Sequence, residues 1–162
     1  MSLTFDTSPI GSKISINIGL GVHHVGRKFD GTRVIEFSRK RSGWSIVPVE
    51  TFASGKSLNI STKGLLPTQA QMLENMNKHA NKKYSVLTFN CDSGAQILAE
   101  LPPTSNQVTG MLVGAGALGI TARISGASLF ETLALIVIGG IVGVNIANIL
   151  ENKETGVLTS TS

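Results

Sequence analysis

Cys91 is the only cysteine of the chain, and its surroundings decide what a thiol there can do. It follows the short apolar run Tyr84–Leu87 and precedes Ser93–Leu101, where Ala95, Ile97, Leu98 and Leu101 share a helical face. A thiol at a helix N-terminus feels the positive end of the helix dipole and several free backbone N–H groups. Both favour the thiolate, and the same N–H groups can hold an oxyanion during acyl transfer. Read alone, a lone cysteine fits a small buried hydrophobe equally well. A nucleophile needs a base, and the histidines are His23, His24 and His79. A neutral imidazole beside a thiol accepts its proton and pairs with the thiolate. His23 and His24 are neighbours in a strand-like run, so only one of them can face a given partner. His79 ends a helical stretch and suits contact with that helix terminus. Glu36, in the next strand-like run, can fix an imidazole in one tautomer and stabilise its cation. It either points to water between Ile35 and Phe37, or shares a face with Val34 and needs a buried partner.

The elements that would carry these residues follow from periodicity. Lys13–Val25 reads as one long strand, with Ile14, Ile16 and Ile18 alternating with Ser15, Asn17 and Gly19. Asp30-Gly31 is a hairpin signal, and Thr32–Phe37 is the partner strand. Trp44–Val49 predicts a third strand that Pro48 ends or confines to an edge. Val49–Lys63 reads mostly as loop. Leu66–His79 predicts a helix with Pro67 in its first turn and Thr68 as cap. Pro102-Pro103 stops the helix that follows Cys91.

Composition separates a second part of the chain. Hydrophobic residues make up 41% and charged residues 15%, and the imbalance lies near the C-terminus. From Leu101 to Leu150 the only ionisable side chains are Arg123 and Glu131. Val108–Ile120 is apolar and glycine-rich, and Thr132–Ile149 gives about 18 uncharged residues, the threshold for a membrane-spanning helix. Glu131 and Asn145 make the span imperfect. Gly139 and Gly143 have the small-xxx-small spacing that lets helices approach, so self-association through the glycine-rich tail is open, as is a helical hairpin folded on the domain. The net charge is +4, with Arg27, Lys28, Arg33, Arg39, Lys40 and Arg41 in one group. That pattern suits a solvated basic face or anionic headgroups, and aromatics at 5% give no stacking platform for nucleic acid. No metal-ligand set, cofactor motif or secretory signal peptide is visible, and a single thiol fits a reducing, cytosol-like compartment.

His24-Val25-Gly26, Asp30-Gly31, Arg33-Val34-Ile35 and Phe37-Ser38 together resemble the histidine-box region of the lecithin:retinol acyltransferase-like family. Val49–Phe52 with Gly55 is similar to the F-x-x-G segment downstream, and Tyr84–Cys91 to its Y…N-C block. Ser105 and Gln107 resemble an S-x-Q element past the helix. The resemblance implies a circularly permuted, NlpC-type papain-like fold: α+β, a small antiparallel sheet packed on the cysteine-bearing helix. It spans roughly residues 13 to 110. It picks His24 over His23, makes Cys91 the nucleophile, and implies acyl transfer through a thioester, on phospholipids in some relatives. Many relatives carry a C-terminal hydrophobic anchor. Two departures stand out. Glu36 lies where relatives often have a second histidine, and Asp92-Ser93-Gly94 replaces an E-H-F sequence after the cysteine. Asp92 would oppose the thiolate if it pointed inward.

The sequence therefore predicts a papain-like catalytic domain over residues 1–106, a hydrophobic helical tail over 107–150 and a polar C-terminus over 151–162. The expected sites are Cys91 as nucleophile, His24 as base and Glu36 as orienting carboxylate. The expected activity is cysteine-dependent hydrolysis or transfer of acyl groups from membrane lipid esters, with residues 127–150 holding the protein at the membrane. An amidase or peptidase on the same fold, and a non-enzymatic membrane-active or binding protein, are the rival readings.

Overall fold

The computed structural model describes residues 3–20, 22–85, 89–102, 106–124 and 127–155. The chain forms two compact units, residues 1–18 with 23–105, and residues 19–22 with 106–162.

The first unit is α+β. Its strands β1 (Lys13–Gly19), β2 (Val22–Lys28), β3 (Arg33–Ser38), β4 (Gly43–Pro48) and β5 (Asn59–Ser61) form an antiparallel sheet in the order β4-β3-β2-β1-β5. The expected single strand over Lys13–Val25 is thus two strands. Alternation hides the break, which shows in Leu20, a non-glycine residue at φ +50°. The Asp30-Gly31 turn is as expected: Asp30 Oδ1 accepts from the backbone N–H groups of Thr32 (2.9 Å) and Arg33 (2.8 Å). Pro48 ends the edge strand β4. The stretch read mostly as loop contains helix α1 (Val49–Ala53) and β5, whose Ile60 pairs with Ile14.

Helix α2 (Gln69–Lys78) starts in a capping box, with Thr68 and Gln71 each accepting from the other's backbone N–H. Helix α3 (Cys91–Ile97) is capped by Asn90, whose side chain accepts from Asp92 (3.0 Å) and Ser93 (3.1 Å) N–H.

Both faces of β3 are covered, so all but its first residue are buried. Val34 packs with Phe5, Ile14, Ile16, Val47 and Phe52 on one face. Ile35 on the other face meets Phe29, Met72 and Leu98, and Phe37 meets Phe89 and Ile97. Full burial of a side chain such as Phe37 contributes about 2–3 kcal/mol. Arg27 and Lys28, expected on a basic face, are internal ties instead. Arg27 donates to the carbonyls of Ala95 (2.6 Å) and Gly11 (2.7 Å), while Lys28 Nζ donates to Phe5 and Ser8 (2.7 Å) carbonyls. Loops cannot satisfy buried carbonyls among themselves, and a long cationic side chain can reach several at once.

The second unit is a pair of antiparallel helices, α4 (Asn106–Ile124) and α5 (Leu129–Thr155). Gly110 lies against Gly143 and Ala147, Gly114 against Gly139, and Gly119 against Ile136, closely enough that a Cβ on any of these glycines would overlap its neighbour. Leu129–Ala147 is long and apolar enough to cross a membrane. Val86–Thr88 of the segment before Cys91, Ser105 and the end of the polar C-terminus fall outside the described residues.

Candidate active site at the start of the cysteine helix

The β2–β3 register pairs Gly26 with Glu36. His24 lies two residues from Gly26 on the same face, so it is the diagonal neighbour of Glu36, within side-chain reach. The imidazole Nε2 donates to Glu36 Oε2 at 2.5 Å. Glu36 itself is 4% exposed and is held from two more sides. Arg41 Nε donates to its Oε1 at 2.8 Å, and the Ser45 hydroxyl at 3.2 Å. Ser45 is the register partner of Glu36 on β4, and Arg41 sits in the turn between the strands. Glu36 therefore has the buried partners its position demands. Its carboxyl, although opposed by burial, is held below the usual range by His24, Arg41 and Ser45.

Phe52 of α1 stacks on the His24 ring, with centroids 5.0 Å apart. Gly26 makes this arrangement fit, because a Cβ there would come within 3.1 Å of the Phe52 ring. Gly26 and Phe52 thus meet in space.

Cys91 is the first residue of α3, and its thiol lies near enough to the His24 ring to act on its protonation. Nε2 is occupied by Glu36, which leaves Nδ1 for the thiol. Burial disfavours the charged imidazole, but Cys91 and Glu36 outweigh it and raise its pKa from 6.5 to about 9. His24 is therefore charged at neutral pH. His23 contributes its backbone carbonyl, 3.7 Å from the Cys91 sulfur. His79 is the C-cap residue of α2, and its carbonyl accepts from Trp44 Nε1 at 3.1 Å.

The helix start differs from the expectation of several free N–H groups. Asp92 and Ser93 donate to the Asn90 side chain, and Gly94 to the Asn90 carbonyl. Tyr84 approaches the remaining one. Its phenol lies close to Cys91, and burial, with Cys91 as neighbour, raises its pKa. The Tyr84 ring stacks on Phe37, 5.8 Å between centroids.

Asp92 is 2% exposed and turned toward Lys13, whose Nζ lies 3.4 Å away. Arg27 adds a second positive charge; burial lowers its guanidinium to about 10, a fall that Asp92 opposes. Gly94 accounts for the missing aromatic after the cysteine: a Cβ there would lie 2.6 Å from Phe37 Cβ and 3.4 Å from Trp44. Rings from the sheet fill the space that a ring on the helix would need.

The structure thus brings Cys91, His24 and Glu36 together. Arg41, Ser45 and Tyr84 were not singled out as site residues. The register made Ser45 findable once the β3–β4 turn was placed; Tyr84 carried no signal beyond its place in the Y…N-C block. Among the described residues no group of three His, Cys, Asp or Glu is placed to hold a metal ion. No protein-family model, curated protein or solved structure matches the chain.

Proposed function

We propose that the protein is a membrane-associated cysteine acyl hydrolase or acyltransferase of the lecithin:retinol acyltransferase type, with a permuted papain-like fold, acting on lipid esters. The observation that carries the reading is the hydrogen bond from His24 to the buried Glu36, with Cys91 beside the imidazole at the start of a helix. The apolar helix α5 supports a lipid substrate, because it would concentrate the site at a bilayer.

In this mechanism the Cys91 proton has passed to His24 Nδ1 before attack, giving the charged imidazole, and the sulfur bonds the ester carbonyl carbon. Negative charge develops on the carbonyl oxygen, and the Cys91 N–H and the Tyr84 hydroxyl are its donors. Collapse breaks the C–O bond, and the departing alkoxide takes the proton from His24. Water or another acceptor then attacks the thioester, returning one proton through His24 to the sulfur. Glu36 keeps Nε2 protonated throughout, so that Nδ1 is the nitrogen that exchanges protons.

The test is intact-mass spectrometry of the full chain after incubation with phospholipid vesicles, beside Cys91→Ala. A mass gain of one fatty acyl group on the wild type alone, with lysophospholipid released, is the expected result. Absence of both adduct and released fatty acid would reject a lipid ester as substrate. Amide cleavage in its place would favour the peptidase reading.

A further inference from the structure

We infer that α4 and α5 enter a lipid bilayer together as a closed helical hairpin, with both open ends on one face of the membrane, rather than α5 acting as a single-pass anchor. The inference rests on the membrane association proposed above and specifies its form.

The glycines of the tail are already used. Gly110 and Gly114 on α4 meet Gly143 and Gly139 on α5 in antiparallel register. Backbone contact of this kind needs small residues and is the packing that holds helices together where no hydrophobic drive separates them from their surroundings. The outward sides remain apolar. On α4, Val113 is 66% and Ile120 65% exposed; on α5, Phe130 is 81% and Val137 63% exposed. Only 17% of the Leu129–Ala147 stretch is buried, unlike a mostly buried core helix. Lipid is the occupant that suits such a surface all round.

Length and polar groups point the same way. The 19 residues of Leu129–Ala147 rise about 28 Å, close to the roughly 30 Å hydrocarbon core. Helix α4 also has 19 residues, of which the apolar Val108–Ala122 part rises about 22 Å. Two polar side chains within the pair bond to their own helices, Thr121 to the Ala117 carbonyl at 2.9 Å and Asn145 to the Ile141 carbonyl at 2.8 Å, while the Thr132 hydroxyl near the closed end makes no such bond. Glu131 is held at the closed end, where it accepts from the Ser128 N–H at 2.8 Å and caps the helix. It therefore sits in the first turn, at the end of the span.

The hairpin and a single pass predict opposite topologies. Full-length protein in a Cys91→Ala background, carrying Ala127→Cys at the closed end or Thr155→Cys at the open end, is added to preformed vesicles of phosphatidylcholine and phosphatidylglycerol. A membrane-impermeant maleimide is then applied before and after detergent. The hairpin predicts labelling at 155 throughout, and labelling at 127 suppressed about tenfold until detergent is added. Labelling at 127 with protection at 155 would mean that α5 alone crosses. Labelling at both sites on vesicle-bound protein would mean that the helices lie on the surface. Either result overturns the hairpin and leaves membrane association standing. Protein that fails to float with the vesicles overturns both.

Discussion

Glu36→Gln tests whether a carboxylate serves His24 in this site. A rise in the His24 pKa from 6.5 to about 9 corresponds to roughly 3 kcal/mol of preferential proton binding by the folded state. Cys91 is the larger source of the rise and Glu36 the second. Removing the Glu36 charge is therefore expected to lower the His24 pKa by about one pH unit, or about 1.4 kcal/mol. The sign is set by a raised folded-state pKa. The stability it contributes is fully present below pH 6.5 and is lost as pH rises through about 9. Wild-type unfolding free energy should fall across that window, and the fall should be smaller in Glu36→Gln. A second effect acts on the tautomer. Arg41 and Ser45 would hold the new amide by its oxygen, turning its NH2 group toward Nε2. Nε2 would then accept, Nδ1 would carry the hydrogen, and the ring could no longer take the thiol proton. Turnover should fall by about 10³–10⁴, more than the pKa change alone accounts for. The assay is an NMR titration of the imidazole Cε1 proton, assigned by its absence in His24→Asn, with denaturant unfolding at the two ends of the window. Titration of His24 near 6.5 in the wild type, or still near 9 in Glu36→Gln, would refute the reasoning.

Other perturbations separate the remaining parts. Arg41→Ala leaves the Glu36 charge less neutralised, so His24 should titrate above its wild-type value in the same NMR experiment; a downward move would show that Arg41 acts otherwise. Tyr84→Phe removes one of the two proposed oxyanion donors and should lower kcat about 10²-fold with little change in KM. An unchanged kcat would remove Tyr84 from the mechanism. Gly94→Ala forces a methyl group against Phe37 and should cost about 1–3 kcal/mol in urea unfolding; a loss below about 0.5 kcal/mol would mean that α3 moves freely on the sheet. Deleting residues 106–162 should leave a folded unit, because all the buried core residues packed around β3 lie between Phe5 and Leu98. That unit should hydrolyse a soluble short-chain ester while losing turnover of vesicle lipid, and loss of both would tie catalysis to the tail.

Local signals were legible where one residue makes its own hydrogen bonds. Asp30-Gly31, Thr68 with Gln71, and the placement of Cys91 at a helix start all depend on contacts within a few residues. Features set by distant partners were not. The break between β1 and β2 falls where Ile18, Leu20 and Val22 continue the alternation, so periodicity runs through the turn. β5 is three residues long and exists because Ile60 covers Ile14. Arg27 and Lys28 look like surface charges in any window of sequence. Their burial follows from carbonyls of Phe5, Ser8, Gly11 and Ala95 that no local pattern reveals. The chemistry of the site was visible in residue types, whereas its second layer of Arg41, Ser45, Phe52 and Tyr84 depends on register and stacking.

The two buried carboxylates near the nucleophile have different roles because their cations differ in position. Glu36 shares its charge between Arg41 and the imidazole, so part of its field falls on the proton carrier. Asp92 is adjacent to Cys91 in sequence, and an uncompensated charge there would oppose a thiolate. It is drawn instead toward Lys13 on β1, with Arg27 on β2 close enough to add its field. Arg27 also grips the Ala95 carbonyl of the same helix, so a single side chain both fixes the angle of α3 and helps neutralise its first acidic residue. Rotation of α3 would turn Cys91 away from His24 and break the Ala95 contact at once. The cations on β1 and β2 thus favour the one helix orientation in which Cys91, rather than Asp92, faces His24.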